Sequence, residues 1–576
     1  MQVDVEHRLK GRLAVVDGDV VSGRGERRGA GGLGDSLPDG QHPGQGLRRG
    51  IGEVDAVLLG NDQRVPDRER PDIEDAQVVV VLVDADGGRR TGDDLTEHAS
   101  HLATVAVGAT LPQMDSTDLA FAGAAEQARM LVNGTITAPG LVELYLDRIA
   151  RVDRELRSYR VVFTDSARRE AAAAQELLDA GERKPLLGVP IAIKDDVDVA
   201  DEFTCYGSSA YGLPPTADAE VVRRLRAAGA VILGKTAVPE MMLWPFTETV
   251  AFGATHNPWD LARAPGGSSG GSGAAVAAGL APMALGSDGA GSIRIPSTWC
   301  GLFGLKPQRD RVPMAPHDDA WCGLSANGPM ARTVEDAALF LDATTTQPGP
   351  SGGFVAAAAR EPGRLRIALS TKIPPTVTAR VGTAQQRALD EAETLLRDLG
   401  HDVVWRDPDY PVWAVYGHLL PRMWRGCYED VAALPHRERL EPRTKGIARL
   451  GRLISERQIA RVRAAEPALA ARVQSIFDDV DVVITPGTAL GPSRIGQYQH
   501  RGGVSTLARV ASRVPFQGIF NATGQPAAVV PWGLDHDGVP LSVQLVGRPS
   551  DEATLLSLSH QIETARPWAH RRPPVS

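Results

Sequence analysis

One stretch constrains this chain more than any other: Pro265 to Pro307, PGGSSGGSGAAVAAGLAPMALGSDGAGSIRIPSTWCGLFGLKP. It is dense in glycine and serine, the composition of a linker, yet its glycines punctuate apolar segments able to fold. It opens on Gly266-Gly267-Ser268-Ser269-Gly270-Gly271, and Ala274 to Leu280 then reads as a short buried helix. A second small-residue cluster, Gly286 to Ser292, precedes the apolar run Ile293 to Leu305. Glycine permits positive φ and lets a ligand or a second backbone come close. Turn-forming residues that lead into a helix also gather free N–H groups, which can hold a developing negative charge.

The rest of the chain sets the scale. With 576 residues it exceeds one ordinary domain and can hold one very large one. Charged residues at 23% and hydrophobic residues at 43% sit in the soluble globular range. The net charge of −9 argues against a nucleic-acid or anionic-membrane partner. Four cysteines, Cys205, Cys300, Cys322 and Cys427, show no metal-ligand spacing, so no metal site is expected from them. So few in so long a chain predict no disulfide framework and a cytoplasmic setting. MQVDVEHRLK carries no apolar signal segment, and no run of about 18 apolar residues predicts a membrane span.

Residues 1–113 read differently from the remainder. GRGERRGAGGLGDSLPDGQHPGQGLRRG has almost no amphipathic period, and such a segment buries too little apolar surface to offset its ordering entropy. Only Gln77 to Val83 could form a strand there. The expectation is a disordered extension, or one added by a misplaced gene start, with the true start at Met114. From Met114 an orderly pattern begins: MDSTDLAFAGAAEQARMLVNG supplies a cap, an amphipathic helix and a glycine stop.

Beyond it, helices are predicted over 140–152, 165–180, 218–228, 383–399 and 551–564, with a helical region over 412–477. Strands are predicted over 189–193, 230–233, 365–369, 403–405, 482–485, 527–531 and 541–546. Helices mixed with many short apolar strands predict an α/β protein, a mixed twisted sheet covered by helices on both faces. No repeat and no internal linker follows Met114, so residues 114–576 read as one large domain.

The chemistry begins with Lys194, which ends the apolar segment Gly188-Val-Pro-Ile-Ala-Ile. Burial disfavours an ammonium, and a lysine with a lowered pKa can act as a base. The competing reading pairs Lys194 with Asp195 or Asp196 at a sheet edge. Hydroxyls are poor nucleophiles until a base takes the proton, and lysine can be that base. Ser268 and Ser292 lie 24 positions apart, each flanked by small residues. The backbone N–H groups of Gly289, Ala290, Gly291 and Ser292 could surround an oxyanion.

In combination, the Lys194 segment, GGSSGGS, GSDGAGSIRIP and GLKP closely resemble the amidase signature family. The resemblance runs from about Met114 to Trp568. It includes Gly328-Pro-Met-Ala-Arg-Thr-Val-Glu-Asp-Ala337, Asn521-Ala-Thr-Gly-Gln-Pro526 and Gln544-Leu-Val-Gly547. It implies hydrolysis of a small-molecule carboxylic acid amide through a serine acyl-enzyme, an acylamide amidohydrolase with no cofactor. Ser292 would be the nucleophile, Ser268 the bridging serine after a cis peptide bond from Gly267, and Lys194 the base. The amides of Gly289, Ala290, Gly291 and Ser292 would bind the oxyanion, with Ser269, Asp288 and Arg294 in support. Two positions depart from the family pattern, Ala290 and Ser542, where glycine is common.

Between Lys235 and Asn257, the side chains of Met241, Met242, Leu243, Trp244 and Phe246 could make an apolar acyl pocket or be plain core. Trp321 and Cys322 are weaker candidates. Three rival functions remain at this stage, one of them a non-catalytic scaffold, against which the intact Lys194, Ser268 and Ser292 speak. Gly266 to Gly270 also matches the G-x-S-x-G of an α/β-hydrolase esterase, with His317 or His536 downstream. The same family includes the amidase subunit of a tRNA-dependent amidotransferase, which works only in an assembly. A homodimer is left open.

Overall fold

The computed structural model describes residues 115–576. The expected extension 1–113, the strand expected at Gln77 to Val83 and Met114 itself lie outside the described residues. Asp115 caps the first helix, Ser116–Ala120, by accepting from the Thr117 amide. The single helix expected here is two, because Gly123 breaks the run before Ala124–Val132. Its φ is +88°, and a Cβ there would meet the Asp336 carboxylate at 2.7 Å.

Thirteen strands follow: β1 (Tyr159–Val162), β2 (Pro190–Lys194), β3 (Val231–Thr236), β4 (Glu248–Thr249), β5 (Gly253–Ala254), β6 (Met283–Asp288), β7 (Phe303–Lys306), β8 (Ala326–Ala331), β9 (Arg366–Leu369), β10 (Asp402–Trp405), β11 (Val482–Pro486), β12 (Ala527–Leu534) and β13 (Pro540–Val546). Eleven form one sheet in the order β1-β3-β2-β6-β8-β7-β12-β13-β11-β9-β10, and β4 pairs only with β5. The sheet is mixed: β2 runs parallel to β3 and β6, and β6 antiparallel to β8. The single α/β unit expected from the alternating pattern is therefore observed.

Side chains alternate across the strands and feed two cores. Ile367 and Leu369 join one apolar cluster and Ala368 the other; Val482 and Ile484 part from Val483 in the same way. The first cluster takes in the N-terminal helices and the closing helix Glu552–Ala565, and the second the helical region from Ala414 to Phe477. Six strands were not expected: β1, β6, β7 and β8 of the large sheet, and the β4–β5 pair. The helix expected at 274–280 runs instead over Gly270–Ala277, directly after the serine pair. No helix of the described residues is long and apolar enough to cross a membrane.

Candidate active site

Sheet order brings the site together. Lys194 is the last residue of β2, and β6 lies beside it, with Ile193 opposite Leu285. The β2 segment Pro-Ile-Ala-Ile is buried throughout, so the lysine is delivered on a rigid apolar stem. β6 ends at Asp288, and the chain turns through Gly289 to Ser292 into the helix Arg294–Cys300. The turn needs glycine at 291: φ is +120°, and a Cβ would meet the Gln517 Cβ at 2.7 Å. Ser268 follows a cis peptide bond from Gly267 and sits just ahead of the helix Gly270–Ala277.

Lys194 is fully buried. Its Nζ lies 2.7 Å from the Ser268 Oγ, 2.6 Å from the Ser287 Oγ and 3.1 Å from the Asp196 Oδ2. The Ser287 hydroxyl in turn donates to the Asp196 Oδ2 at 2.5 Å. Desolvation pushes the lysine pKa below its ordinary value, opposed by the Asp196 and Asp288 carboxylates. Of the two aspartates considered as lysine partners, Asp196 takes Lys194, while Asp195 pairs with Lys235 at 3.0 Å and Arg160 at 2.7 Å. Ser287 was not singled out in the sequence, because it sat within a run that read as a turn.

The loop before Ser292 is held by one buried ion pair. Asp288 and Arg294 are both fully buried and meet at 3.0 Å. Arg294 also reaches the Gln544 Oε1 at 2.8 Å and the Asn521 Oδ1 at 2.6 Å. The Asp288 carboxylate accepts from the Gly291 amide at 2.6 Å and the Ile293 amide at 3.1 Å. Desolvation alone would raise its pKa, but the Arg294 charge and hydrogen bonds, with the Asn521 side-chain amide and the Lys306 charge, hold it well below the carboxylate range. The Gly291 N–H expected to face an oxyanion is therefore committed to Asp288. Among the described residues, the amides of Gly289, Ala290 and Ser292 donate to no protein group. Ala290 does not have a positive φ, so its backbone does not need glycine. Ser269 donates its hydroxyl to the Ser287 carbonyl at 3.2 Å, and its amide to the Ser292 carbonyl at 3.2 Å. Ser542 pairs with Pro531 in the sheet, its buried hydroxyl without a partner.

Two cavities meet at Ser292. The first, of about 520 Å³, is also lined by Ser268, Ser287 and Gly289. The second, of about 380 Å³, is lined by Gly267, Ala290 and apolar side chains including Ile295, Val415, Leu419 and Ile519. The five side chains expected to form one apolar pocket are divided. Leu243 and Trp244 line the second cavity, Met241 the first, and Met242 both. Phe246 lines neither; it stacks between Trp244 and Tyr498, with centroids 6.0 and 4.9 Å away. Trp321 borders both cavities, and Cys322 borders neither.

Among the described residues, neither histidine of the rival esterase reading hydrogen-bonds Ser268 or Ser292, although His317 lines the cavity that both serines border. His536 is exposed beside Asp537, and His317 contacts Asp198 at 3.6 Å and the Tyr206 hydroxyl at 3.4 Å.

The family model described as Amidase matches residues 140–556. A protein of Mycobacterium tuberculosis (strain ATCC 25618 / H37Rv) named "Putative amidase AmiB2" is 69% identical over 463 residues, 80% of this chain and 100% of the relative. The structure of 6-aminohexanoate cyclic dimer hydrolase complexed with substrate superposes with a TM-score of 0.71 at 30% identity, covering 79% of this chain and 99% of the other. That of peptide amidase from Stenotrophomonas maltophilia gives 0.66 at 27% identity, covering 81% and 99%.

Proposed function

Because the chain belongs to the amidase family, whose chemistry is amide hydrolysis, we propose that it is an acylamide amidohydrolase working through a Ser292 acyl-enzyme. The observation that carries the reading is the 2.7 Å contact between the Lys194 Nζ and the Ser268 Oγ, at the wall of a cavity that Ser292 shares.

Neutral Lys194 accepts the Ser268 proton as Ser268 accepts that of Ser292. The Ser292 Oγ attacks the amide carbon, and the carbonyl electron pair moves onto oxygen. The free amides of Gly289, Ala290 and Ser292 are the donors available to that oxyanion, and one such donor is typically worth about 2.7–4 kcal/mol. The proton returns from Lys194 through Ser268 to the leaving nitrogen, the C–N bond breaks, and ammonia or an amine departs. Water then gives a proton to the same relay and attacks the acyl-enzyme; the carboxylate leaves and Ser292 regains its proton. The acyl group occupies the apolar cavity, where Leu243 and Trp244 line the wall. The activity resides in residues 114–576. The buried, unpaired cysteines support a cytoplasmic setting.

The test is ammonia release from hexanamide by protein starting at Met114, with mass spectrometry of the quenched enzyme. Turnover with a hexanoyl adduct on Ser292 is expected, and Ser292→Ala should remove both. Turnover that survives Ser292→Ala would overturn the assignment.

A further inference from the structure

The two cavities that meet at Ser292 differ in chemistry, and the difference names the other half of the substrate. The larger one carries six carboxylates on its wall: Asp196, Asp198, Asp318, Asp319, Glu429 and Asp430. No lysine or arginine is among its lining residues, and His317 is its one basic side chain. Partners behind the wall neutralise part of this charge. Arg463 meets Asp319 at 2.7 Å, Arg425 meets Glu429 at 2.6 Å, and His317 stands 3.6 Å from Asp198.

Asp318 is exposed to solvent, and two less exposed carboxylates, Asp430 and Asp196, are left with oxygens that no protein group satisfies. Asp430 accepts the Trp321 indole N–H at 3.2 Å through Oδ2, and its Oδ1 makes no hydrogen bond among the described residues. Desolvation raises its pKa to about 6, so it is ionised at neutral pH but poorly solvated. The Asp196 side chain is only 9% exposed, and its Oδ1 is buried without a partner. When Lys194 is neutral, as the hydrolytic cycle requires, Asp196 is a further uncompensated negative charge. Buried charge of one sign with no counter-ion calls for a cation.

The chemistry fixes which half of the amide lies here. The leaving nitrogen must receive its proton through Ser268. Ser268, Ser287 and Asp196 border the acidic cavity, whereas the apolar one is bordered by Gly267 and Ala290. The amine half therefore departs into the acidic cavity. We propose that the acidic cavity is an amine-recognition subsite, and that the preferred substrates are amides of apolar carboxylic acids with a leaving amine that carries a second, cationic amino group. This rests on the hydrolytic reading above and adds the substrate class to it.

The experiment uses four amides of hexanoic acid: hexanamide, N-pentylhexanamide, N-(4-aminobutyl)hexanamide and N-(4-carboxybutyl)hexanamide. The aminobutyl amide is expected to exceed its neutral pentyl isostere in kcat/KM by about tenfold or more, with the carboxybutyl amide poorest. The preference should shrink with added salt. It should collapse towards unity in Asp430→Asn and survive in Asp430→Glu; each ratio is taken within one variant, so general losses cancel. Turnover of hexanamide with no preference for the aminobutyl amide would overturn the subsite and leave hydrolysis standing. Should none of the four amides turn over, hydrolysis falls, and calorimetry decides the subsite alone. In that arm, 1,4-diaminobutane should bind wild type about tenfold more tightly than Asp430→Asn. Equal or absent binding would overturn the amine site.

Discussion

Asp196 and Lys194 form a buried ion pair, with 3.1 Å between Oδ2 and Nζ, directly behind the serine that the lysine contacts. Burial favours the neutral amine and Asp196 favours the ammonium. A relay that starts from the neutral amine gains activity as pH rises through the lysine pKa. Asp196→Asn removes the group that raises this pKa, so the acidic limb of the kcat/KM profile should move to lower pH, by about one unit. A limb that stays in place or moves upward would show that Asp196 does not set the lysine charge.

Ser292→Ala, Ser268→Ala and Lys194→Ala act on one relay and should not add. Each should lower kcat on hexanamide by at least about 10³-fold, and the Ser292→Ala/Lys194→Ala double variant should be no worse than the poorer single one. Losses that multiply in the double variant would mean two independent mechanisms.

The Asp288–Arg294 pair is fully buried, and the replacement Arg294→Met leaves the carboxylate without its ion-pair partner. Urea denaturation should show a loss of about 3–5 kcal/mol, the usual result of breaking a buried pair from one side. A loss under about 1 kcal/mol would indicate that Asn521 and the backbone amides hold Asp288 without the arginine.

Gly291→Ala places a methyl group against Gln517 on a backbone of φ +120°. The turn must shift, and with it the free amides before Ser292. Turnover of hexanamide should fall on the order of 10²-fold, comparable with losing an oxyanion donor. Unchanged kcat in a folded variant would mean that this turn does not position those donors.

For unbranched acyl groups, kcat/KM should climb about fourfold per methylene, from about 0.8 kcal/mol per buried CH₂, until the apolar cavity is full. Leu419→Trp, which fills that cavity, should shorten the best chain length. Faster turnover of acetamide than of hexanamide would reject the acyl assignment.

Much of the fold was legible where local pattern and packing agree. β2, β3, β9, β11 and β13 are short apolar runs, and the sequence placed each within one to three residues at either end. β6 was not legible, because Met-Ala-Leu-Gly-Ser-Asp has the composition of a turn. Its small residues serve close packing: a Cβ on Gly286 would meet Ile293 at 3.0 Å and the Ser269 hydroxyl at 3.1 Å. Misreading that strand also hid Ser287, which only the β2–β6 neighbourhood brings to Lys194. Lys194 and Ser268 were each ambiguous alone and could be named from sequence only through the resemblance their segments carry in combination. The acidic cavity could not be, since Asp196 and Asp430 come from distant segments and share no local pattern. Phe246 illustrates the converse: an apolar run gives composition, and only packing decides which of its members face a cavity.

The Asp288–Arg294 anchor has a consequence for how the protein is made. Arg294 reaches Gln544, 250 positions further along the chain, and Asn521, 227 positions further along. On the ribosome, Lys194, Ser268 and Ser292 all emerge long before either partner. The loop that carries Ser292 acquires its full set of contacts only when β13 has left the exit tunnel and closed beside β12. A nascent or prematurely terminated chain thus holds Lys194, Ser268 and Ser292 without the contacts that Gln544 and Asn521 give the Asp288–Arg294 anchor.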